Sequence, residues 1–294
     1  MTESDSYSGK TIILTSQHHK EKAIALPMRA IGARLETYSD FDTDLLGTFS
    51  GEIERDGTAH EVAERKARIG MKALSCSLGI ANEGSFGPHP YLPFGGGGLE
   101  IIAFVDDENG CVYFEEFFTA DINYSQTVVS SFSRLRAVAQ LMGFPTHGLI
   151  LAPAAAAHVV DRDTMMQELG LVKGIITEEK LEETFSEFCT KSPVGCVWVE
   201  TDMRAHFNPT RMRSIRKVAT MMAKRLRSQC PQCKFPGFGL TSKEAGVKCA
   251  NCGTATEVVA WYVNECHKCK CVKKIPKYDE HYRADPQYCP SCNP

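Results

Sequence analysis

Short runs of consecutive apolar residues alternate with longer stretches of helical periodicity over the first two thirds of this chain. Thr11-Ile12-Ile13-Leu14-Thr15 is apolar and β-branched, and predicts a buried strand. Ser16–Lys22 opens a helical stretch that Pro27 is expected to kink or end. Gly57–Leu74 reads as a helix with Thr58 as N-cap, and Glu61 three residues later completes a capping box. Leu78–Ala81 is a further strand. Glu100–Asp106 and Cys111–Phe118 form two more around the turn Asp107-Glu108-Asn109-Gly110. Ser125–Met142 carries helical periodicity up to Gly143, a good helix stop. Strands at Leu149–Leu151 and Cys196–Val199 flank a helix at Glu178–Phe188. Asn208-Pro209 then starts a last helix through Arg227, with proline in the first turn where its missing N–H costs nothing. Strands and helices alternating in this way predict an α/β fold. Gly95–Gly98, with no helix after it, reads as a loop.

Composition narrows the class. The chain has 294 residues, 43% of them hydrophobic, enough for one large core or two smaller ones. No apolar run approaches the ~18–20 residues of a membrane span. The polar, acidic start Met1-Thr2-Glu3-Ser4-Asp5 lacks the pattern of a signal peptide, so a soluble cytoplasmic protein with no membrane partner is expected. A net charge of −3 argues against a dedicated nucleic-acid binder while leaving room for a local basic patch.

Cysteine usage divides the chain. Of 13 cysteines, Cys76, Cys111, Cys189 and Cys196 are scattered and read as small core residues; nine fall in the last 65 residues. Eight of those nine form four Cys-x-x-Cys pairs: Cys230/Cys233, Cys249/Cys252, Cys266/Cys269 and Cys289/Cys292. In a reducing compartment this spacing predicts zinc. Eight thiolates complete two four-cysteine sites with no position left for water, so both are expected to be structural. Sequential pairing joins the first two pairs at one metal and the last two at the other. A nested alternative joins the middle two around the β-rich stretch Thr254–Val263. Of these the sequential arrangement is preferred, and Cys271 has no assigned part. From Leu226 onward ten Lys/Arg face six Asp/Glu, an excess of four that two zinc–tetrathiolate centres of charge −2 each cancel. The expected organisation is an α/β domain over residues 1–228 and a double zinc ribbon over residues 229–294, the latter too poor in core to fold without metal.

Two partial motifs are set aside, and a basic helix is kept. Gly9-Lys10-Thr11 precedes a strand, whereas a phosphate-binding P-loop follows one. His60 and Glu64 are one residue short of a His-Glu-x-x-His zinc helix and are better explained as a solvated face. The last helix carries Arg211, Arg213, Arg216, Lys217, Lys224, Arg225 and Arg227 opposite an apolar stripe of Met212, Ile215, Ala219, Met222 and Leu226. Helix 209–227 can therefore contact phosphates, of a nucleotide or of nucleic acid, or can simply be solvated.

Three further stretches resemble, in order, the inosine-triphosphatase family of nucleoside-triphosphate pyrophosphatases. Thr15-Ser16-Gln17-His18-His19-Lys20 is similar to that family's triphosphate-binding Thr-x-Asn-x-x-Lys, with Gln17 in place of asparagine. Thr58–Ala67 matches the Thr, Glu, Ala and Lys-Ala of its next helix, placing Glu61 and Lys66. Ala81-Asn82-Glu83-Gly84-Ser85-Phe86 looks like an altered Ala-Asp-Asp-Ser-Gly-Leu, with Glu83 where a metal-linked carboxylate would stand. Gly143–Ile150 is similar to a later substrate-contacting segment, with His147 in place of its Asp. The chain as a whole also resembles an uncharacterised bacterial domain family with a cysteine-rich C-terminus. The first resemblance implies a mixed sheet flanked by helices and Mg²⁺-dependent hydrolysis of a nucleoside triphosphate to monophosphate and pyrophosphate. Glu83 and Glu61 would hold Mg²⁺, and Thr15, Lys20, Lys66, Ser85, His147 and Arg211 would contact substrate. Each residue also has a plainer expectation: Glu61 as the capping partner of Thr58, Lys20 as a solvated charge. Glu83 is hardest to explain away, because a carboxylate ending a buried strand needs a partner. The rival from a different class is a binding protein on a degenerate enzyme fold, with the zinc ribbon and basic helix contacting nucleic acid or protein.

Overall fold

The computed structural model describes residues 6–46, 57–88, 96–155 and 170–294. Gly95 lies outside that set. The protein is a mixed α/β structure that divides into two compact units, Gly9–Met222 and Ala223–Pro294, the latter together with residues 6–8.

The larger unit contains two sheets. In the first, β1 (Thr11–Thr15), β2 (Arg34–Tyr38) and β3 (Leu78–Pro88) run parallel, and β4 (Gly96–Asp106) and β5 (Cys111–Thr119) continue antiparallel, in the order β2-β1-β3-β4-β5. Helix α1 (Glu21–Arg29) connects β1 to β2 and keeps Pro27 in its interior, where Ala23, Ile24, Pro27 and Met28 form its buried side; the proline does not end it. Helix α2 (Ala59–Ala73) has the expected capping box: the Thr58 side chain accepts the Glu61 N–H, and the Glu61 carboxylate accepts the Thr58 N–H at 2.7 Å. Its inner face sets Ala67 and Met71 against Ala81 and Val105. Gly70 permits this approach, since its N–H donates to Thr15 Oγ1 at 3.2 Å and a Cβ there would overlap that oxygen.

The second sheet, β6-β9-β7-β8, is antiparallel throughout: β6 (Gln126–Val129), β7 (Leu149–Pro153), β8 (Val172–Ile175) and β9 (Val197–Thr201). Helices α3 (Phe132–Leu141) and α4 (Glu178–Lys191) bury Leu135, Val138, Leu181 and Phe185 against it. The expected helix over Ser125–Met142 is therefore two elements. The β-branched Thr127-Val128-Val129 pairs with β9, and Ser131 caps a shorter helix by accepting the Arg134 N–H. The glycine run is corrected as well, because Gly96–Gly98 pair with Pro88–Phe86 and open β4. Helix α5 (Pro209–Arg227) follows, starting at the expected proline.

The smaller unit is a three-stranded antiparallel sheet of β10 (Gly239–Ala245), β11 (Val259–Glu265) and β12 (Val272–Pro276), with the four cysteine pairs in the turns around it. No helix among the described residues is long and apolar enough to cross a membrane.

Candidate functional site

Strand β3 outruns β1. The last pairing between them is Leu14 with Ile80, β1 ends at Thr15, and β3 continues to Pro88 in register with β4. Past that point the backbone of β3 on its β1 side needs other partners. Lys20, at the N-terminus of α1, supplies one by donating from Nζ to the Asn82 carbonyl at 2.9 Å. The ends of parallel strands followed by helices are where open α/β sheets form binding crevices.

Ionic groups gather on both faces of this overhang. On one face, Asn82 Nδ2 donates to Glu100 Oε2 at 2.9 Å, and Arg211 Nε, from α5, donates to Glu100 Oε1 at 2.8 Å. Arg211 also donates from Nη1 to the Met203 carbonyl, and its guanidinium lies 5.2 Å from the centre of the Phe86 ring. Gly84, opposite Glu100, leaves room for this pair: a Cβ would stand 2.8 Å from Arg211 Nη2 and 2.9 Å from Glu100 Oε2 and would push those side chains aside. On the other face, Lys66 of α2 donates to Glu83 Oε2 at 2.6 Å. Lys20, Lys66, Asn82, Glu83, Glu100 and Arg211 are each less than a tenth exposed. Asn82 Oδ1 is buried without a hydrogen-bond partner among the described residues.

Among the described residues, three cations gather with two carboxylates here, and the electrostatic cost falls on the lysine of the loop. Burial first, then the Arg211 and Lys66 charges, pull the Lys20 ammonium down to about 7, against the opposing pull of Glu83 and Glu100. Near neutral pH Lys20 is thus poised between charged and neutral, and an anion beside it would hold the proton on.

The β1–α1 loop also carries His18 and His19. Their rings lie 5.2 and 5.8 Å from that of His206, which packs in turn on Phe207 at 4.1 Å. Burial and then the neighbouring His18 push His206 down to about 4, so it is neutral at physiological pH. A cavity of about 240 Å³ opens beside His206 and is lined further by Pro209, Met212, Arg213 and Arg216.

Of the residues expected from sequence, the structure brings Lys20, Lys66, Glu83 and Arg211 together. It holds the others elsewhere. Glu61 is exposed at the helix cap, where the Thr58 N–H and then its hydroxyl keep the carboxyl below its usual range. The Thr15 hydroxyl is occupied by Gly70, and Ser85 is exposed. His147 Nε2 lies 3.0 Å from Thr210 Oγ1, with its ring against Gly143. Glu100 and Asn82 were not anticipated as site residues; the only available signals were a carboxylate heading an apolar run and an asparagine inside a buried strand. Helix 209–227 has part of its basic face engaged. Arg216 donates to the Lys22 carbonyl, Lys217 lies over Phe117, and Arg225 is buried against the carbonyls of Gly237 and Leu240.

The cysteines form two groups of four, Cys230/Cys233/Cys266/Cys269 and Cys249/Cys252/Cys289/Cys292, and each can hold a zinc ion. The pairing is interleaved, first with third and second with fourth. This corrects both the sequential and the nested expectation. Strand β11 places Cys266 and Cys269 beside the first pair, while Ala284 bridges to Cys249 and brings the last pair to the second. The sulfur separations Cys230–Cys269, Cys233–Cys266 and Cys252–Cys289 are 3.6 Å, and Cys249–Cys292 is 3.9 Å. A tetrahedron with metal–sulfur bonds of about 2.3 Å has edges of about 3.8 Å, so the thiols fit zinc. A disulfide at about 2.05 Å is far shorter. Among the described residues these are the only groups of three or more His, Cys, Asp or Glu close enough to share an ion.

No curated protein and no solved structure matches the chain. A family model described as a domain of unknown function (DUF6671) matches residues 66–294, a span that includes Lys66, Glu83, Glu100, Arg211 and all eight paired cysteines. With most of its length in that match, the chain belongs to this family.

Proposed function

We propose that the Gly9–Met222 unit binds the phosphate chain of a nucleoside triphosphate beside the end of β1 and hydrolyses it to monophosphate and pyrophosphate. The observation that carries this reading is the buried Lys20, held with Lys66 and Arg211 against Glu83 and Glu100, the carboxylates that act on it among the described residues, at the end of parallel strands. Burying an excess cation is costly, and a phosphate ligand offsets that cost. In the hydrolysis, a water oxygen bonds to the α-phosphorus as the bond to the bridging oxygen breaks. Pyrophosphate leaves with that electron pair, and the water proton passes to Glu83. Lys20 and Lys66 stabilise the departing charge. Glu83 and Glu100 lie on opposite faces of the sheet, so Mg²⁺, which takes one or two carboxylates, would be held on the Lys66 face by Glu83 alone and would complete its shell with phosphate oxygens and water. When bound, that ion would neutralise phosphate charge.

A second reading has its own support. Glu83 and Glu100 each already hold a cation, Lys66 and Arg211, which favours phosphate binding without turnover. Pyrophosphate release from a panel of nucleoside triphosphates with Mg²⁺, alongside calorimetric titration with inorganic pyrophosphate, separates the two. Release abolished by Glu83→Gln, with pyrophosphate still bound, supports the hydrolase. Binding without release supports the non-enzymatic reading. Absence of both removes the site.

A further inference from the structure

The zinc-bearing unit sorts its charges between the two faces of its sheet. Register places Lys243, Tyr262 and Ile275 directly across from one another, with Leu240, Asn264 and Lys273 as the next row. The Lys277 N–H donates to the Ala260 carbonyl at 2.9 Å and extends the same pleat, so Lys277 shares that face. The strand acids Glu244 and Glu265 both lie on the opposite face, where they meet Lys274 at 2.6 Å and Lys270 at 3.8 Å. One face therefore carries three exposed lysines and no strand-borne carboxylate.

Aromatic rings cluster at the Lys277 end. Tyr278 and Tyr282 stack with centroids 3.9 Å apart and planes inclined by 15°, and Lys277 Nζ lies 4.9 Å from the centre of Tyr278. Tyr282 is 41% exposed. Two acids flank the rings: Asp279 accepts the His281 N–H at 2.9 Å, and Glu280 lies exposed 3.5 Å from the His281 ring. Lysines on edge strands discourage edge-to-edge pairing, but that purpose does not call for an exposed pair of stacked tyrosines.

We propose that this face binds single-stranded nucleic acid, with Lys243, Lys273 and Lys277 on phosphates and Tyr262, Tyr278 and Tyr282 as the platform for unpaired bases. Every base has a π-face, so such a platform reads single strands with little sequence preference, whereas a duplex hides those faces. An acidic peptide would use the lysines and leave the rings idle.

The test is fluorescence anisotropy of the zinc-loaded full chain with a labelled 12-nucleotide single strand, its duplex, and polyglutamate as competitor. Three phosphate contacts give a slope of log affinity on log salt of about −2. Tyr282→Ala is expected to weaken binding about tenfold or more and Tyr282→Phe to restore it. Lys273→Ala and Lys277→Ala lower both affinity and slope; Lys274→Ala, on the opposite face, and Arg213→Ala leave both unchanged. Unaltered zinc content in each variant separates loss of contact from loss of fold. No binding at 50 mM salt, equal affinity for duplex, displacement by polyglutamate at equal charge, or equal effects of Lys273→Ala and Lys274→Ala would each overturn the proposal.

Discussion

Lys66 on α2 and Glu83 on β3 meet in a charged hydrogen bond of 2.6 Å, with both side chains under a tenth exposed. The pair ties a helix to the one strand that reaches beyond the parallel part of its sheet. Removing one member strips a buried charge of its nearest countercharge, which costs about 3–5 kcal/mol in comparable pairs; replacing both with apolar groups is often neutral. Lys66→Met is therefore expected to destabilise by about that amount, and Lys66→Met/Glu83→Leu to recover most of it. Urea denaturation of both variants checks this. A single variant within about 1 kcal/mol of the parent would show that the pair is not charged.

Lys20 makes stability depend on pH in a stated direction. Its folded-state value of about 7 lies below the ordinary 10.5. Below pH 7 the ammonium is charged in both states and the burial cost is fully present. Between 7 and 10.5 the unfolded chain binds more protons, so this group's contribution to stability rises with pH. The groups facing it are Arg211, Lys66, Glu83 and Glu100. Parent minus Lys20→Met stability, measured at pH 6, 7.5 and 9, is expected to be most negative at pH 6 and to climb by up to about 1.4 kcal/mol per pH unit above 7. A flat difference would contradict a buried, depressed lysine.

Interleaved four-cysteine groups, if they hold zinc, have a signature in double variants. Cys233→Ser/Cys266→Ser damages one site twice and should leave one zinc per chain, whereas Cys233→Ser/Cys252→Ser damages both and should leave none. Sequential pairing reverses that outcome. Metal content of the purified variants, by atomic emission, decides between them.

Glu61 offers a clean separation of capping from catalysis. Glutamine serves in a capping box as well as glutamate, so Glu61→Gln should change stability by only a few tenths of a kcal/mol. Thr58→Ala should cost about 1 kcal/mol. Pyrophosphate release, where found, should survive Glu61→Gln unchanged; its loss would return Glu61 to the metal role implied by the family resemblance.

Most elements were legible because their signals are local. The capping box of Thr58 and Glu61, the proline opening α5, and the hairpin about Asp107–Gly110 depend on residues within one turn of each other. Ser125–Met142 misled because a four-residue strand and a ten-residue helix share one apolar spacing, and strand pairing with β9 decided between them. Short, polar β2 and irregular β8 left little pattern to detect.

The gathering of the C-terminal cysteines into two four-thiol groups and the mixed α/β class followed from the sequence alone, since residue type and short spacing dictate them. Which pair of cysteines meets which could not, because pairs two strands apart are joined only by the register of β10, β11 and β12. The same holds for the candidate site. Lys20, Lys66, Glu83, Glu100 and Arg211 come from two helices and two strands and a loop, and no spacing along the chain records that β3 outruns β1. Local physics chooses elements; the burial of charge where one strand ends and its neighbour continues is a property of the assembled sheet.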